Sequence, residues 1–289
     1  MPPGLACGRV IALDEAHAFA RERGVVRPLY ALVRVLLTPS LRLWFRLRVS
    51  GAEHVPAEGA AILVANHKSF LDTFFLALGT RRHIRYMAKA ELFRGPLGAL
   101  FLRLGAFPVR RGEADQDAMD TASAILGQGG AVAIFPEGTR VDEPDALGAP
   151  RHGAGRLALK AAVPIVPAAI GTAHLWAGPL PKPRRVRVTF LPPVDAADVG
   201  SSDDSLHELV DNQVWPAVQH EYGRLVATGG IALALLSALG VGGGYLARRQ
   251  AKAREPRILG KLEPRRVRRT RERRRRLSRL RALLPGRDR

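Results

Sequence analysis

The chain has 289 residues and a formal net charge of +19, and 47% of its residues are hydrophobic. This length and hydrophobic content exclude a wholly disordered protein and allow one large domain or two small ones. The single cysteine, Cys7, excludes an internal disulfide and a cysteine-based zinc site. Residues 225–289 hold 19 basic and 4 acidic residues, so the excess charge belongs mainly to a tail and does not mark the whole protein as a nucleic-acid binder.

The N-terminal segment, residues 1–49, is predicted to be helical and to associate with membranes. Charged residues interrupt the first 24 positions, which argues against a signal peptide. Residues 25–49 contain no acidic residue and carry arginines between Leu, Val, Trp and Phe, with leucines at helical spacing. Two interpretations are open: a core-packing helix with a solvated basic face, or a basic amphipathic helix on an anionic membrane.

Residues 50–224 are predicted to form an α/β domain. Short apolar runs alternate with helical patterns along this stretch, which favours a mostly parallel sheet flanked by helices. A closing helix is expected at residues 203–223, starting at the Ser201-Ser202-Asp203 cap cluster and kinked or restarted by Pro216. The predicted strands are residues 60–65, 83–87, 105–109, 131–135, 163–170 and 186–191, and the predicted helices are residues 69–79, 91–104, 115–127 and 153–162.

The C-terminal part contains a hydrophobic run and a basic tail. Residues 225–247 form an uncharged run, and a helix of that length would reach roughly 34 Å, enough for the ~30 Å hydrocarbon core of a bilayer. Because six glycines interrupt it, a full span, a partial or in-plane insertion and a buried soluble helix all stay open. Residues 248–289 form an Arg-rich tail, either disordered or an amphipathic helix on an anionic surface. Its lack of stacking aromatic residues argues against nucleic acid as the partner.

The strongest local signal follows the first predicted strand, in residues 66–72 (NHKSFLD). Ser69 and Asp72 have the spacing of a capping box, with Ser69 at the N-cap and Asp72 at N3 of the next helix. His67 then lies on the strand-to-helix turn, where a first-turn carboxylate can reach its ring. A general base held by an acid needs this geometry. The alternative is that Asp72 only caps the helix and His67 is an ordinary loop histidine.

A second signal lies in residues 135–140 (FPEGTR), directly after the predicted strand at residues 131–135. A rigid Pro-x-Gly turn would present Glu137 and Arg140 at the end of a buried strand. An arginine in such a turn is a good bidentate ligand for an anion. The alternative is a surface turn with an ion pair.

Together these motifs resemble those of the glycerolipid acyltransferase superfamily, which includes the 1-acylglycerol-3-phosphate acyltransferases. Four blocks occur in the family's order over about residues 50–195. One departure is Arg110, which stands where many relatives carry an acidic residue and which bears on the choice of acceptor. The blocks are Asn66-His67-x-x-x-x-Asp72 with Ser69 inside it; Lys89-Ala90-Glu91-Leu92 followed by Pro96, Gly98, Gly105 and Arg111; Phe135-Pro136-Glu137-Gly138-Thr139-Arg140; and Val163-Pro164-Ile165-Val166-Pro167.

The resemblance implies an acyl transfer catalysed by His67 as general base, with Asp72 orienting its ring. The acyl donor would be acyl-CoA or an acyl carrier protein, no covalent acyl-enzyme would form, and neither a metal nor another cofactor is expected. The other histidines are interpreted as structural or surface residues. The residues that the resemblance assigns to substrate binding are Arg111, Glu137, Gly138, Thr139 and Arg140, with the arginines on the phosphate, and the supporting residues are Asn66, Ser69 and Lys89.

The function predicted on this basis is conversion of 1-acylglycerol-3-phosphate to phosphatidic acid. One alternative keeps the chemistry but uses another lysophospholipid, a lyso-amino-lipid or a glycolipid as acceptor, and another is a catalytically silent adaptor that binds membranes or RNA. Membrane lipids are the expected partners and the cytoplasmic face of a membrane is the expected location. Because one true span with a cytoplasmic basic tail would separate the catalytic domain from cytosolic donors, residues 225–247 are expected not to cross or to form a hairpin.

Overall fold

The computed structural model divides the chain into two compact units, residues 1–230 and residues 231–289. All strands of the sheet described below belong to the first unit. The predictions for residues 239–247 and for the basic tail at residues 248–289 lie outside the described residues. The structure describes residues 11–112, 115–143, 145–172, 175, 181, 183–196 and 203–238.

The described residues form helices and strands that alternate along most of the first unit. The helices are α1 (Leu13–Glu22), α2 (Arg27–Phe45), α3 (Asp72–Gly79), α4 (Gly95–Arg103), α5 (Gln116–Gly127), α6 (Gly153–Ala161), α7 (Asp203–His207) and α8 (Trp215–Ala238). The strands are β1 (Arg48–Ser50), β2 (Ala61–Ala65), β3 (Ile84–Lys89), β4 (Ala106–Val109), β5 (Ala131–Ile134), β6 (Ile165–Ile170) and β7 (Arg187–Phe190). Short 3-10 helices cover Ala52–His54 and Ala90–Phe93, and a π-helical segment covers Glu208–Val214.

The strands form one seven-stranded sheet in the order β1-β7-β6-β2-β5-β3-β4. All pairs are parallel except β6 with β7, so the predicted mostly parallel sheet flanked by helices is confirmed. Each of the predicted strands is present, with ends that differ by one or two residues. Strand β1 was not predicted, and the predicted domain boundary between residues 49 and 50 falls inside it.

Each face of the sheet packs against its own hydrophobic core, as expected for strands buried on both sides. In the central strand β2, Ile62 and Val64 pack with α5, α6 and α8, whereas Leu63 and Ala65 pack with α3 and the end of α2. All residues of β2 are buried. The centre of the sheet is therefore a rigid support for the loops that follow β2, β5 and β6.

The closing helical region differs in detail from its prediction. Residues 208–214 form a π-helical segment, and α8 begins at Trp215, one residue before Pro216. The Trp215 N–H donates to the Val210 carbonyl in the π-helical pattern, and Pro216, which has no N–H to donate, lies where that segment gives way to α8. Helix α8 runs on to Ala238, well past the predicted end at residue 223. Of the predicted cap cluster, Ser201 and Ser202 lie outside the described residues.

Helix α2 is the described part of the chain with the most exposed apolar surface. Its side chains Val35 and Leu43 are 69% and 84% exposed, whereas Tyr30 and Phe45 are buried. Among the described residues, no single helix has the length and hydropathy to cross a bilayer. Helices α1 and α2 meet those criteria only as a pair, with a bend of 94° between them.

Candidate active site

The centre of the site lies at the carboxyl ends of three neighbouring strands. His67 follows β2, Glu137 follows β5 and Thr172 follows β6, and these strands are adjacent in the sheet. Open α/β sheets bind ligands in the crevice outside the carboxyl ends of their strands. Segments far apart in sequence are thereby brought to one edge of the sheet.

The His67 ring is held by the buried carboxylate of Asp72. Its Nδ1 lies 3.2 Å from Asp72 Oδ2, and the Asp72 side chain has no exposed surface. The same oxygen accepts hydrogen bonds of 2.6 Å from the backbone N–H groups of Lys68 and Ser69. Because an ionised carboxylate only accepts, Nδ1 carries the proton and Nε2 is the ring nitrogen left to accept one.

This arrangement corrects the predicted capping box. Helix α3 begins at Asp72, with Leu71 and not Ser69 at the N-cap position. Asp72 does reach back to the Ser69 N–H, but the Ser69 hydroxyl accepts a bond from the N–H of Leu71, at 3.2 Å. The reason is that the carboxylate also binds the Lys68 N–H and the His67 ring, which holds residues 67–71 in a turn outside the helix.

Two further residues fix the position of His67. The Phe135 ring stacks on the imidazole with ring centres 4.2 Å apart and an angle of 16° between the planes. The backbone N–H of His67 donates to Glu137 Oε1 at 3.1 Å, and the other Glu137 oxygen accepts from Gly148 at 3.4 Å. Burial raises the pKa of Glu137, although these two hydrogen bonds favour its charged form. Glu137 therefore braces the backbone that carries His67.

Asn66 and Thr172 connect the site to β6. The Asn66 amide accepts from the Ile170 N–H at 2.8 Å and donates to the Ile170 carbonyl at 3.0 Å. The Thr172 hydroxyl donates to Asp72 Oδ1 at 2.5 Å. Asn66 was predicted as a supporting residue, whereas Thr172 had no recognisable signal because it lies 100 residues from Asp72.

The two lysines near the site have different surroundings. The Lys68 ammonium donates to the carbonyls of Glu143 and Ala146 and lies 5.5 Å from the centre of the Tyr222 ring. Burial lowers its pKa, with nearby carboxylates opposing the shift. Lys68 thus ties down the loop after β5. The predicted supporting residue Lys89 is half-exposed and pairs with Glu91 at 3.1 Å.

The turn after β5 has the predicted Pro-x-Gly form. Gly138 has φ +70°, a left-handed conformation that favours glycine, and its N–H donates to the Phe135 carbonyl at 3.1 Å. Thr139 and Arg140 follow the turn and are exposed. Burial lowers the pKa of Arg111, and the charge of Arg140 lowers it further.

An apolar cavity of about 140 Å³ opens beside His67. It extends between α2, α3, α4 and strand β3, and aliphatic and aromatic side chains form most of its wall. Its mostly apolar lining suits a flexible hydrocarbon chain. The lining residues are Tyr30, Val33, Arg34, Leu37, His67, Phe70, Thr73, Phe74, Ala77, Leu78, Tyr86, Met87, Ala88, Lys89, Leu92, Phe101, Leu104, Ala106, Arg111 and Phe135.

A second cavity, of about 150 Å³, shares His67 and Phe135 in its wall with the first. Three arginines, Arg110, Arg111 and Arg151, belong to its wall, and Gly138 contributes to it. His67 therefore lies where an apolar cavity and a cationic cavity meet. Arg140, Glu137 and Thr139 do not line either cavity.

One group of titratable residues outside the site was not recognised in the sequence. His152 Nε2 and His207 Nδ1 lie 2.9 Å and 2.8 Å from the carboxylate of Asp211. Hydrogen bonding from His207 lowers the pKa of Asp211. The three side chains have the chemistry of metal ligands, but all are partly exposed and the hydrogen bonds account for their arrangement.

Comparison with known proteins identifies one family. A family model described as Acyltransferase matches residues 46–171. A 1-acyl-sn-glycerol-3-phosphate acyltransferase of Bacillus subtilis is 34% identical over 125 residues, which cover 43% of this chain and 61% of that protein. The mouse 1-acyl-sn-glycerol-3-phosphate acyltransferase alpha is 30% identical over 190 residues, covering 63% of this chain and 66% of that protein. An uncharacterized Mycobacterium tuberculosis protein is 31% identical over 243 residues, covering 68% and 66%.

A solved structure has the same fold. The crystal structure of the 1-acyl-sn-glycerophosphate acyltransferase PlsC from Thermotoga maritima matches with a TM-score of 0.50 and 25% identity. The match covers 72% of this chain and 79% of that one. The chain spans 61% to 66% of the length of the curated relatives named above.

Proposed function

Because this chain belongs to the Acyltransferase family, we propose that it is an O-acyltransferase that converts a 1-acylglycerol-3-phosphate to phosphatidic acid. The observation that carries the proposal is the position of His67 in the walls of two cavities, one mostly apolar and one that includes three arginines. The apolar cavity suits the acyl chain of a thioester donor, and the arginine-lined cavity suits the phosphate of the acceptor. The reacting carbonyl and hydroxyl would then meet beside the imidazole.

In the proposed reaction, His67 Nε2 accepts the proton of the acceptor hydroxyl as the oxygen attacks the thioester carbonyl. The carbon–sulfur bond then breaks, and the departing thiolate takes the proton back from the imidazole. The products are an ester and a free thiol, with no covalent acyl-enzyme. Asp72 holds Nδ1 protonated and stabilises the positive charge that the ring carries between the two proton transfers.

The donor and the location follow from the same chemistry. We propose acyl-CoA or an acyl carrier protein as co-substrate, with no metal or other cofactor, because the reaction needs only proton transfer and a good leaving group. The acceptor and the product are lipids, so the enzyme would work at a membrane. Because the thioester donors are cytosolic, we propose the cytoplasmic face. The exposed apolar side chains of α2 are suited to rest on the bilayer, and they are Leu32, Val35, Leu36, Leu43 and Trp44.

Helix α2 also links the proposed membrane face to the proposed acyl site. Tyr30, Val33 and Leu37 line the apolar cavity, whereas Leu36 and Leu43 on the same helix are exposed. A hydrocarbon chain could pass from lipid into the protein with little apolar surface left in water, which favours entry at this helix. This arrangement supports a membrane enzyme over a silent adaptor, since an adaptor needs no cavity beside a histidine–carboxylate pair.

The direct test is thiol release from an acyl-CoA in the presence of 1-acylglycerol-3-phosphate. We expect release to depend on both substrates and to fall by about 10² to 10⁴-fold in His67→Ala, the usual effect of losing a general base. His220→Ala is the matched control, because His220 is an exposed histidine on α8. Equal turnover in the His67→Ala variant would remove His67 from the mechanism.

A further inference from the structure

The cationic cavity contains an arginine that none of the predicted motifs includes. Arg151 lies ahead of α6 and lines the cavity together with Arg110 and Arg111. Among the described residues, no aspartate or glutamate lines this cavity. These three arginines share the cavity with His67, so they are the candidates for binding an anionic group of the substrate there.

The three arginines are engaged to different extents. Arg110 pairs with Asp115 at 3.4 Å and with Asp117 at 3.0 Å, so two carboxylates at the start of α5 already offset its charge. The guanidinium groups of Arg111 and Arg151 have no carboxylate of a described residue within ion-pair distance. The charge available to a ligand in the cavity therefore comes mainly from Arg111 and Arg151.

The turn after β5 fixes the position of Arg151. Its backbone N–H donates to the carbonyl of Pro136 at 2.9 Å. Its side chain crosses Gly138 so closely that a Cβ there would lie 2.9 Å from the Arg151 Nε. Two features thus favour glycine at position 138: the backbone is left-handed, and the Arg151 side chain occupies the space that a Cβ would need.

The start of α6 adds a weaker positive potential to the same cavity. Gly153 and Ala154 are the first residues of this helix, and both line the cavity. The first backbone N–H groups of a helix lack helical partners, and the helix dipole places partial positive charge there. We give this feature a supporting role only, because the two arginines carry full charges.

We propose that Arg151, with Arg111, binds the phosphate group of the acceptor lipid and selects phosphate-bearing acceptors over neutral ones. This inference rests on the proposed function, since it concerns the acceptor side of the same site. A phosphomonoester carries close to two negative charges at neutral pH and three oxygens that accept hydrogen bonds. Two guanidinium groups in the wall of one cavity match that charge and can each donate two parallel hydrogen bonds.

Steady-state kinetics with two acceptors test the assignment. The acceptors are 1-acylglycerol-3-phosphate and the neutral 1-acylglycerol, and the variants are Arg151→Ala and Arg151→Lys. We expect Arg151→Ala to raise the KM for the phosphate-bearing acceptor by about 10- to 100-fold, the usual effect of losing hydrogen bonds to a charged group. The KM for the donor, kcat and turnover of the neutral acceptor should change less than about threefold, and lysine should restore part of the affinity.

The control is Arg156→Ala, which removes an exposed arginine on α6 that does not line the cavity. It should leave the KM for the phosphate-bearing acceptor, the KM for the donor, kcat and the turnover of the neutral acceptor at the level of the unmodified protein. An unchanged KM for the phosphate-bearing acceptor in Arg151→Ala would overturn the assignment. So would an equal loss for both acceptors, because that pattern indicates a structural role.

A binding experiment separates this inference from the proposed function. Isothermal titration of the full chain with sn-glycerol 3-phosphate, and with glycerol as the neutral probe, requires no turnover. Binding of glycerol 3-phosphate that Arg151→Ala abolishes supports the phosphate site even if no acyl transfer is found. If the unmodified protein and the Arg151→Ala variant both transfer acyl groups to 1-acylglycerol-3-phosphate with equal KM and kcat, the proposed function stands and the role of Arg151 is rejected.

Discussion

Asp72→Asn is the sharpest test of how the site works, because it removes one charge with almost no change in shape. The amide oxygen can take the place of Oδ2 and accept from the Lys68 and Ser69 N–H groups. The amide nitrogen then faces the Thr172 hydroxyl, which can accept instead of donate. Because the hydrogen bonds survive without charge assistance, we expect a loss of about 1–3 kcal/mol in the free energy of unfolding.

The effect on catalysis should be larger than the effect on stability. The His67 ring becomes positively charged during the proposed reaction, with Nδ1 3.2 Å from a carboxylate oxygen. At an effective dielectric constant of about 20, two unit charges at that distance attract each other by about 5 kcal/mol. This energy is an upper limit for the rise in the activation barrier of the variant, since the amide dipole replaces part of the attraction. We therefore expect kcat to fall by about 10³-fold, and by at most about 10⁴-fold.

The assay is thiol release with saturating donor and acceptor, measured for Asp72→Asn, His67→Ala and the double variant. If the carboxylate acts only through the imidazole, the double variant should be no slower than His67→Ala, since residues that act as a unit have non-additive effects. Full activity in Asp72→Asn would refute the reasoning. Losses that simply multiply in the double variant would refute it as well.

The remaining predictions concern the support of the site, the N-terminal helices and the membrane face. Asn66→Ala leaves the buried N–H of Ile170 without its partner, while the Ile170 carbonyl still accepts from the Thr172 N–H, so the free energy of urea unfolding should fall by about 1–3 kcal/mol; an unchanged midpoint would contradict it. Burial lowers the pKa of His17 in the folded protein, so on acidification the unfolded chain takes up this proton at a higher pH than the folded one. The free energy of unfolding should therefore fall as the pH drops through 6.5. His17→Gln should remove that part of the pH dependence, and an identical dependence would argue otherwise. Replacing the exposed Leu36 and Leu43 with glutamate should weaken sedimentation with anionic vesicles at least tenfold, and equal binding would exclude this membrane face.

Some properties of the fold could be predicted from local sequence because their causes are local. A strand buried on both faces needs a continuous apolar run, and residues 61–65 are such a run. The edge strand β1 has only three residues with exposed ends, and its pairing with β7 joins positions such as Val49 and Val188. No local pattern indicates a partner at that separation, so β1 was missed.

The candidate site divides in the same way. His67 and Asp72 are five residues apart, so their contact could be anticipated from the turn that joins a strand to a helix. Thr172 on Asp72 and Glu137 on the His67 backbone depend on the order and register of β6, β2 and β5. The sequence could name Glu137 through its motif, but it could not indicate that the side chain braces a backbone.

By itself, the sequence determined the alternation of strands and helices, the family motifs and the pairing of one histidine with one carboxylate, because each arises among neighbours in the chain. The tertiary structure alone decided where α3 begins, which side chains surround His67, and that Arg151 rather than Arg140 lines the cationic cavity. The physical reason is that contacts between distant segments depend on sheet register and loop packing. Neither is encoded in the spacing of residues along the chain.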